Sequence, residues 1–338
     1  MRPFPLFISA AFLTAAFPAC TESISTGDAQ RPDLFAGKVD STVKPSDDFF
    51  QFVNGMWFHD NPVPASEKSW GIGHVVQQEI YARLRKINDD ASKAGAAEGT
   101  GTQKIGDFWL AGMDSSKADQ MGIQPLEKEL KMISDCKTRD DVVAAMIRLE
   151  PLQIGIFYAG FYVTQDPKHS EEMTVMLWQG GLGLPDREYY SGKDSANIKI
   201  RDAYVAHISK MLSLSGTPAA DAEIFAQKVF DFESSLAANC RRVEDLRHSF
   251  ANYHKMATED VTAKLTSLIN WNDVCNSFGI KADSIVVGQP EFFKALNKSI
   301  RKTPVEVLRA YMQFHLVSAY ATYLSKEIDT EHFNFEGR

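Results

Sequence analysis

A chain of 338 residues that is 44% hydrophobic and 24% charged is long enough to bury a sizeable core, and its composition excludes disordered, collagen-like and disulfide-scaffold classes. Its 36 Lys and Arg against 44 Asp and Glu leave a formal net charge of −8. No overall basic charge is available to grip a phosphate backbone, so nucleic acid is excluded as a partner.

Residues 1–20 combine Arg2, an uncharged apolar run from Phe4 to Phe17 and the ending Pro18-Ala19-Cys20, the order of an export signal. The run is too short to stay as a membrane span. A small residue followed by cysteine resembles a bacterial lipobox, with Phe17 where leucine is usual. Cys20 is therefore the expected lipidation site, with cleavage to a free form as the alternative. The expected location is the bacterial cell envelope or periplasm, anchored to a membrane through lipid on Cys20. Residues 21–43 are polar and carry little hydrophobic pattern, as a flexible tether would, and the folded domain is expected over 44–338.

Within that domain, Val76, Ile80, Leu84 and Ile87 recur every three or four residues between charged neighbours, which predicts a helix over 73–91 with one buried stripe. The same period runs through Ile105, Phe108, Trp109 and Met113, and again through Leu126, Leu130 and Ile133 after Pro125. Thr138-x-x-Asp141 reads as a capping box opening a helix to Leu149. Aromatic and β-branched residues then cluster at 155–163 and 173–179 around the polar turn 165–170, the pattern of a β-hairpin. Further helical patterns cover 197–215, 219–241, 258–269, 291–302 and 304–325. The fold class that emerges is mainly α: a multi-helix lobe with a small antiparallel β-hairpin. Strand-helix-strand alternation and fixed-period repeats are absent from the pattern, which counts against Rossmann and solenoid folds.

Candidate chemistry is sparse. None of the eight histidines is followed by Glu, so the helical zinc-peptidase motif H-E-x-x-H does not occur. His248 and His254 are six apart, about 600° around a helix, and would face different ways. His74 and Glu79 could meet across a turn, a spacing that more often gives a surface pair than a general base. Nucleophile elbows and phosphate loops are also missing. Gly180-Gly181-Leu182-Gly183 reads as a tight turn leaving a strand. The acid pairs Asp47-Asp48 and Asp140-Asp141 sit at helix starts, where capping explains them; Asp89-Asp90 and Glu171-Glu172 are adjacent and diverge by about 100° if helical. Cys136, Cys240 and Cys275 form no C-x-x-C pair, and buried thiols or at most one bridge are expected. From the residues alone there is no catalytic, metal-binding or cofactor-binding residue to assign.

Two segments carry a family resemblance. The stretch Lys44-Pro45-Ser46-Asp47-Asp48-Phe49-Phe50-Gln51-Phe52-Val53-Asn54-Gly55-Met56-Trp57 resembles the opening signature of the neprilysin-like zinc metallopeptidases, continued by Asn61-Pro62-Val63-Pro64 and Ser69-Trp70-Gly71. In this stretch Asp47 is the expected cap of a short helix and Gly55 its left-handed end, with Phe49, Phe52 and Trp57 as packing anchors. Leu177-Trp178-Gln179-Gly180-Gly181-Leu182-Gly183-Leu184-Pro185-Asp186-Arg187-Glu188-Tyr189-Tyr190 resembles the family's G-L-P-D-R-x-Y-Y segment. Weaker matches follow in order at Lys104–Trp109, Phe232-Glu233, Trp271, Gln289-Pro290-Glu291-Phe292 and Phe333-Asn334-Phe335.

The resemblance implies the helical, chamber-forming part of a zinc endopeptidase acting on peptides. Its H-E-x-x-H, its third zinc ligand and its substrate-binding segment would belong to a C-terminal catalytic half, supplied in cis or in trans, and zinc is expected there. On that reading the chain is the N-terminal part of a larger exported enzyme. The alternatives are a stand-alone, non-catalytic envelope lipoprotein that binds peptides or a partner protein, and a split enzyme completed by a second polypeptide.

Overall fold

The computed structural model describes residues 37–155 and 160–337. The expected export signal with Cys20, most of the expected tether and residues 156–159 of the expected hairpin lie outside the described residues. The chain divides into two compact units, residues 1–91 and 92–338.

In the first unit, α1 (Phe49–Asp60) opens at Asp48, whose carboxylate accepts from the Gln51 N–H at 2.8 Å. The expected cap, Asp47, is one residue early and sits in the preceding turn, its N–H donating to Lys44 O at 2.9 Å. Gly55 does not end the helix, which continues to Asp60. It is a site of close approach: Asp40 N donates to Phe52 O at 2.8 Å and Met56 N to Lys38 O at 3.3 Å, so the chain at 38–40 crosses the helix there. A Cβ on Gly55 would lie 2.7 Å from both Asp40 Cβ and Gln51 Nε2. Of the three expected anchors, Phe52 and Trp57 are half-buried and Phe49 is 67% exposed.

α2 (Ile72–Lys93) carries the i,i+4 ion pairs Glu79–Arg83, Asp89–Arg85 and Asp90–Lys86 on its charged surface. Its apolar stripe is present but uncovered. Ile72, Val76, Ile80, Leu84 and Ile87 are 43% to 62% exposed, where the periodicity predicts burial.

The second unit begins with α3 (Gly101–Met113), capped by Thr100, and α4 (Ser115–Met121), capped by Asp114. After Pro125 come α5 (Glu127–Asp135) and α6 (Arg139–Leu149). The capping box at α6 is complete: Asp141 N donates to Thr138 Oγ1 at 3.1 Å, and Thr138 N to Asp141 Oδ2 at 2.8 Å. The helix it starts buries Val142, Val143, Met146 and Leu149.

The hairpin forms from β1 (Gly160–Gln165) and β2 (Met173–Trp178), antiparallel with Gly160 opposite Trp178. It is not alone. Two four-residue strands, β3 (His254–Ala257) and β4 (Ser284–Val287), complete a mixed sheet of order β1-β2-β4-β3, with β4 parallel to β2 and antiparallel to β3. β4 is central and its Ile285, Val286 and Val287 are fully buried, the residue type expected of a parallel strand covered on both faces.

Between β2 and β3 run α7 (Arg187–Ser191), α8 (Ser195–Leu214), α9 (Ala219–Ala237) and α10 (Val243–Leu246), and between β3 and β4 run α11 (Thr258–Lys264) and α12 (Trp271–Ser277). Beyond it lie α13 (Pro290–Lys302), α14 (Val305–Tyr320) and α15 (Lys326–Glu336). The helix expected over 258–269 breaks after Lys264. Trp271 N donates to Thr262 Oγ1 at 3.1 Å and its indole N–H to Thr266 Oγ1 at 2.6 Å, so threonine hydroxyls fold the chain into a bend and α12 starts afresh. α8, α9 and α14 pack together, with Ile208, Met211, Val229, Leu236, Leu308 and Phe314 in one continuous core. Cys136, Cys240 and Cys275 are buried free thiols.

Candidate functional site

The segment leaving β2, residues 178–190, is tied to more elements than any simple turn requires. Gly288 N donates to Leu177 O at 2.8 Å, and a Cβ on Gly288 would press to 2.6 Å from the Trp178 ring. Gln179 N donates to Gln289 Oε1 at 2.9 Å, while the Gln179 side chain exchanges bonds with the Arg241 backbone at 2.7 and 3.0 Å. Gly181 takes φ +72°, which glycine tolerates and a side chain rarely does. Gly183 runs so close to Tyr204 that a Cβ would collide with its hydroxyl. The expected tight turn at 180–183 is instead an irregular connection that bends from Gly183 onward, with a conformational reason for Gly181 and a packing reason for Gly183.

Pro185-Asp186-Arg187 then starts α7. Asp186 caps it by accepting from Glu188 N at 2.7 Å, and Arg187 donates to the carbonyl of Cys240 at 2.6 Å. Burial pushes the Cys240 thiol up to about 12 against the opposing pull of the Arg187 guanidinium, so this cysteine stays protonated and inert.

Beneath the segment lies Glu233 of α9, wholly buried. Its Oε2 accepts from Tyr190 at 2.6 Å, Tyr204 at 2.8 Å and Gly183 N at 3.3 Å, and its Oε1 meets His315 Nε2 at 2.8 Å. Tyr311 adds a bond to Gly181 O at 2.9 Å. Burial, and secondarily the Glu233 carboxylate, raise the Tyr190 and Tyr204 phenols well above their ordinary range. One carboxylate thus joins the 178–190 segment to α7, α8, α9 and α14. With its lone pairs engaged and no exposed surface, it is suited to positioning these elements and not to taking a proton from a substrate. A cavity of about 360 Å³ opens along the segment, lined by Trp178, Leu182, Leu184, Pro185, Arg187 and Arg241 among others.

The remaining candidates are dispersed. His74 stacks on Trp70, and Glu79 pairs with Arg83 instead of His74. His254 bonds the carbonyl of Val287 across the sheet. Asp48 and Asp141 cap helices, Asp89 and Asp90 pair along α2, and Glu172 pairs with Lys255. Among the described residues, no group of three or more His, Cys, Asp or Glu is placed to hold a metal ion. A catalytic zinc takes three protein ligands, so the residues described here do not fit one. The Glu233 junction was missed in the sequence because its members lie up to 132 residues apart along the chain, from Gly183 to His315 (315 − 183 = 132). Phe232-Glu233 stood out only as part of a resemblance.

The chain superposes on the zinc metalloprotease Zmp1 of Mycobacterium tuberculosis, solved in complex with an inhibitor, with a TM-score of 0.81 at 28% identity, over 89% of this chain and 46% of that one. It shares the fold of PepO from Lactobacillus rhamnosis, with a TM-score of 0.72 at 19% identity, over 87% of this chain and 46% of that one. In sequence it is 26% identical over 305 residues to endothelin-converting enzyme 1 of Mus musculus, covering 85% of this chain and 38% of the relative. Neprilysin-3 of Drosophila melanogaster is 25% identical over 311 residues, at 85% and 39% coverage. The model of the N-terminal part of peptidase family M13 matches residues 45–338, and the chain belongs to that family. It spans about two fifths of the length of the curated relatives.

Proposed function

We propose that the chain is the helical, substrate-chamber part of an exported neprilysin-like zinc metalloendopeptidase that degrades peptides. Its role is to wall the chamber, with the zinc and the H-E-x-x-H held by a catalytic lobe outside residues 44–338. The carrying observation is the family match over residues 45–338, which corresponds to less than half of each relative. The uncovered apolar stripe of α2 supports the reading, since an exposed row of Ile, Val and Leu at helical spacing is what a docking lobe would cover. Export through residues 1–20, lipid on Cys20 and a tether to residue 43 would place the enzyme in a bacterial envelope. Among the described residues no helix is long and apolar enough to cross a membrane.

The test pairs a gene reading with an assay. The source DNA past the codon for Arg338, read in all three frames, is expected to encode an H-E-x-x-H. Purified residues 44–338, supplied with zinc and a quenched fluorescent peptide, are expected to give no hydrolysis. Chelator-sensitive cleavage by residues 44–338 alone would overturn the proposal, as would a source locus with no such motif in any frame.

A further inference from the structure

His207, on the inner face of α8, is 3% exposed and touches α15 and α14. Its Nδ1 lies 2.9 Å from Glu331 Oε1, so the neutral ring donates there and leaves Nε2 as a bare acceptor. That Nε2 is buried with no protein partner, and so is Nδ1 of His332, whose ring centroid is 6.3 Å away. Phe335 stacks flat on the His207 ring at 4.7 Å, and Phe314 of α14 meets it edge-on at 5.9 Å. Two neighbouring imidazoles with unmatched buried nitrogens are rare enough in folded proteins to call for a role.

We propose that the His207–Glu331–His332 cluster makes the docking of α15 on α8 an acid-released latch. A proton arriving at His207 Nε2 creates a buried N–H donor that has no hydrogen-bond partner in the docked arrangement. The groups facing it divide by sign. Glu331 and Glu336 of α15 favour the charged ring, while His332 opposes it once charged itself. On α8, Tyr204 is bound to Glu233 and Lys210 pairs with Glu327 at 3.3 Å; on α14, His315 is bound to Glu233.

Burial dominates this balance and holds the His207 imidazole below its ordinary 6.5, outweighing the Glu331 hydrogen bond. The sign follows. Below pH 6.5 an undocked His207 takes up a proton more readily than the docked one, so acid favours release; above 6.5 both forms are neutral and docking is insensitive to pH. The proposal rests on the α8–α15 contact and stands whatever the catalytic reading.

The experiment is hydrogen exchange by mass spectrometry on the full chain, with the protection of residues 326–336 compared with that of α9 at pH 7.5 and 5.0 after correction for intrinsic exchange. Protection of α15 relative to α9 is expected to fall about tenfold at the lower pH. The fall should vanish in His207→Gln. It should shrink in His332→Gln, which removes the neighbouring imidazole whose charge opposes protonation of His207, and this variant carries the test if His207→Gln does not fold. Protection that is constant or rises on acidification, or a fall of full size in His332→Gln, would overturn the latch.

Discussion

Glu233 shows how one side chain can decide a local architecture. Its carboxylate satisfies two phenols, an imidazole and a backbone N–H within a fully buried site. Taking it away strands those donors in a low-dielectric interior, where each unmatched group costs its full desolvation. Glu233→Ala is therefore expected to cost about 3–5 kcal/mol, the range for breaking a buried polar pair, and Glu233→Gln about 1–3 kcal/mol because one acceptor survives. Urea unfolding followed by tryptophan fluorescence reads both. A loss below 1 kcal/mol for the alanine variant would show that the junction is not holding the segment. None of this was visible in the sequence, since Tyr190, Tyr204, Glu233 and His315 obey no local spacing and meet only through the packing of four helices, α7, α8, α9 and α14. Thr138 and Asp141 were legible as a capping box because their partners lie three residues away, whereas Asp186, which caps α7 through a partner two residues on, went unread because Pro185-Asp186 after a glycine-rich stretch did not look like a helix start.

Among elements, α6 and the hairpin were the ones the sequence marked most clearly, and both can be tested at the residues that marked them. Thr138→Ala removes the hydroxyl that accepts from Asp141 N and should cost about 1 kcal/mol, with Thr138→Ser close to neutral. Equal losses for both variants would remove capping as the explanation. In the hairpin, the turn is held by Asp166, wholly buried, which accepts from Lys168 N at 2.9 Å and from Lys255 and Tyr253 at 3.0 Å each. Burial works against its ionisation, but these bonds outweigh it and hold the carboxyl at about 2, below its ordinary 3.8. A carboxyl lowered on folding contributes its full stability above pH 4 and loses it as pH falls towards 2. Protection of the amides in residues 163–175, after correction for intrinsic exchange, should fall over that window in the wild type and show no such step in Asp166→Asn. The partner strands escaped notice for a physical reason. β3 and β4 are four residues each, too short to display a period, and the parallel pairing of β4 with β2 joins residues about 110 apart. α11 looked longer than it is because Leu265, Leu268 and Ile269 continue the helical period into the bend closed by Thr262 and Thr266.

On the scale of the whole molecule, the distribution of buried apolar surface is the informative quantity. Every member of the hydrophobic core lies between Leu126 and Ile328, and among the described residues from 37 to 125 only Gly55 and Gly106 are buried. Burial of a large apolar side chain is worth about 1.5–3 kcal/mol, so a unit without any adds little hydrophobic stabilisation of its own. Sequence periodicity could not reveal this, because a stripe such as that of α2 looks the same whether its cover is present or absent. Residues 92–338, in contrast, close a core around α8, α9 and α14 and a sheet whose central pairing spans β2 to β4. Deleting residues 1–91 is accordingly expected to leave the unfolding free energy of the remainder within about 0.5 kcal/mol of the full chain, the scale of changes made away from any core. Binding of a hydrophobic dye, in turn, should drop once the α2 stripe is gone. Calorimetry and dye fluorescence on the two chains read both quantities. A truncated chain that melts much earlier, or binds more dye than the full one, would overturn this assignment of the molecule's stability to residues 92–338 and of its dye-binding surface to α2.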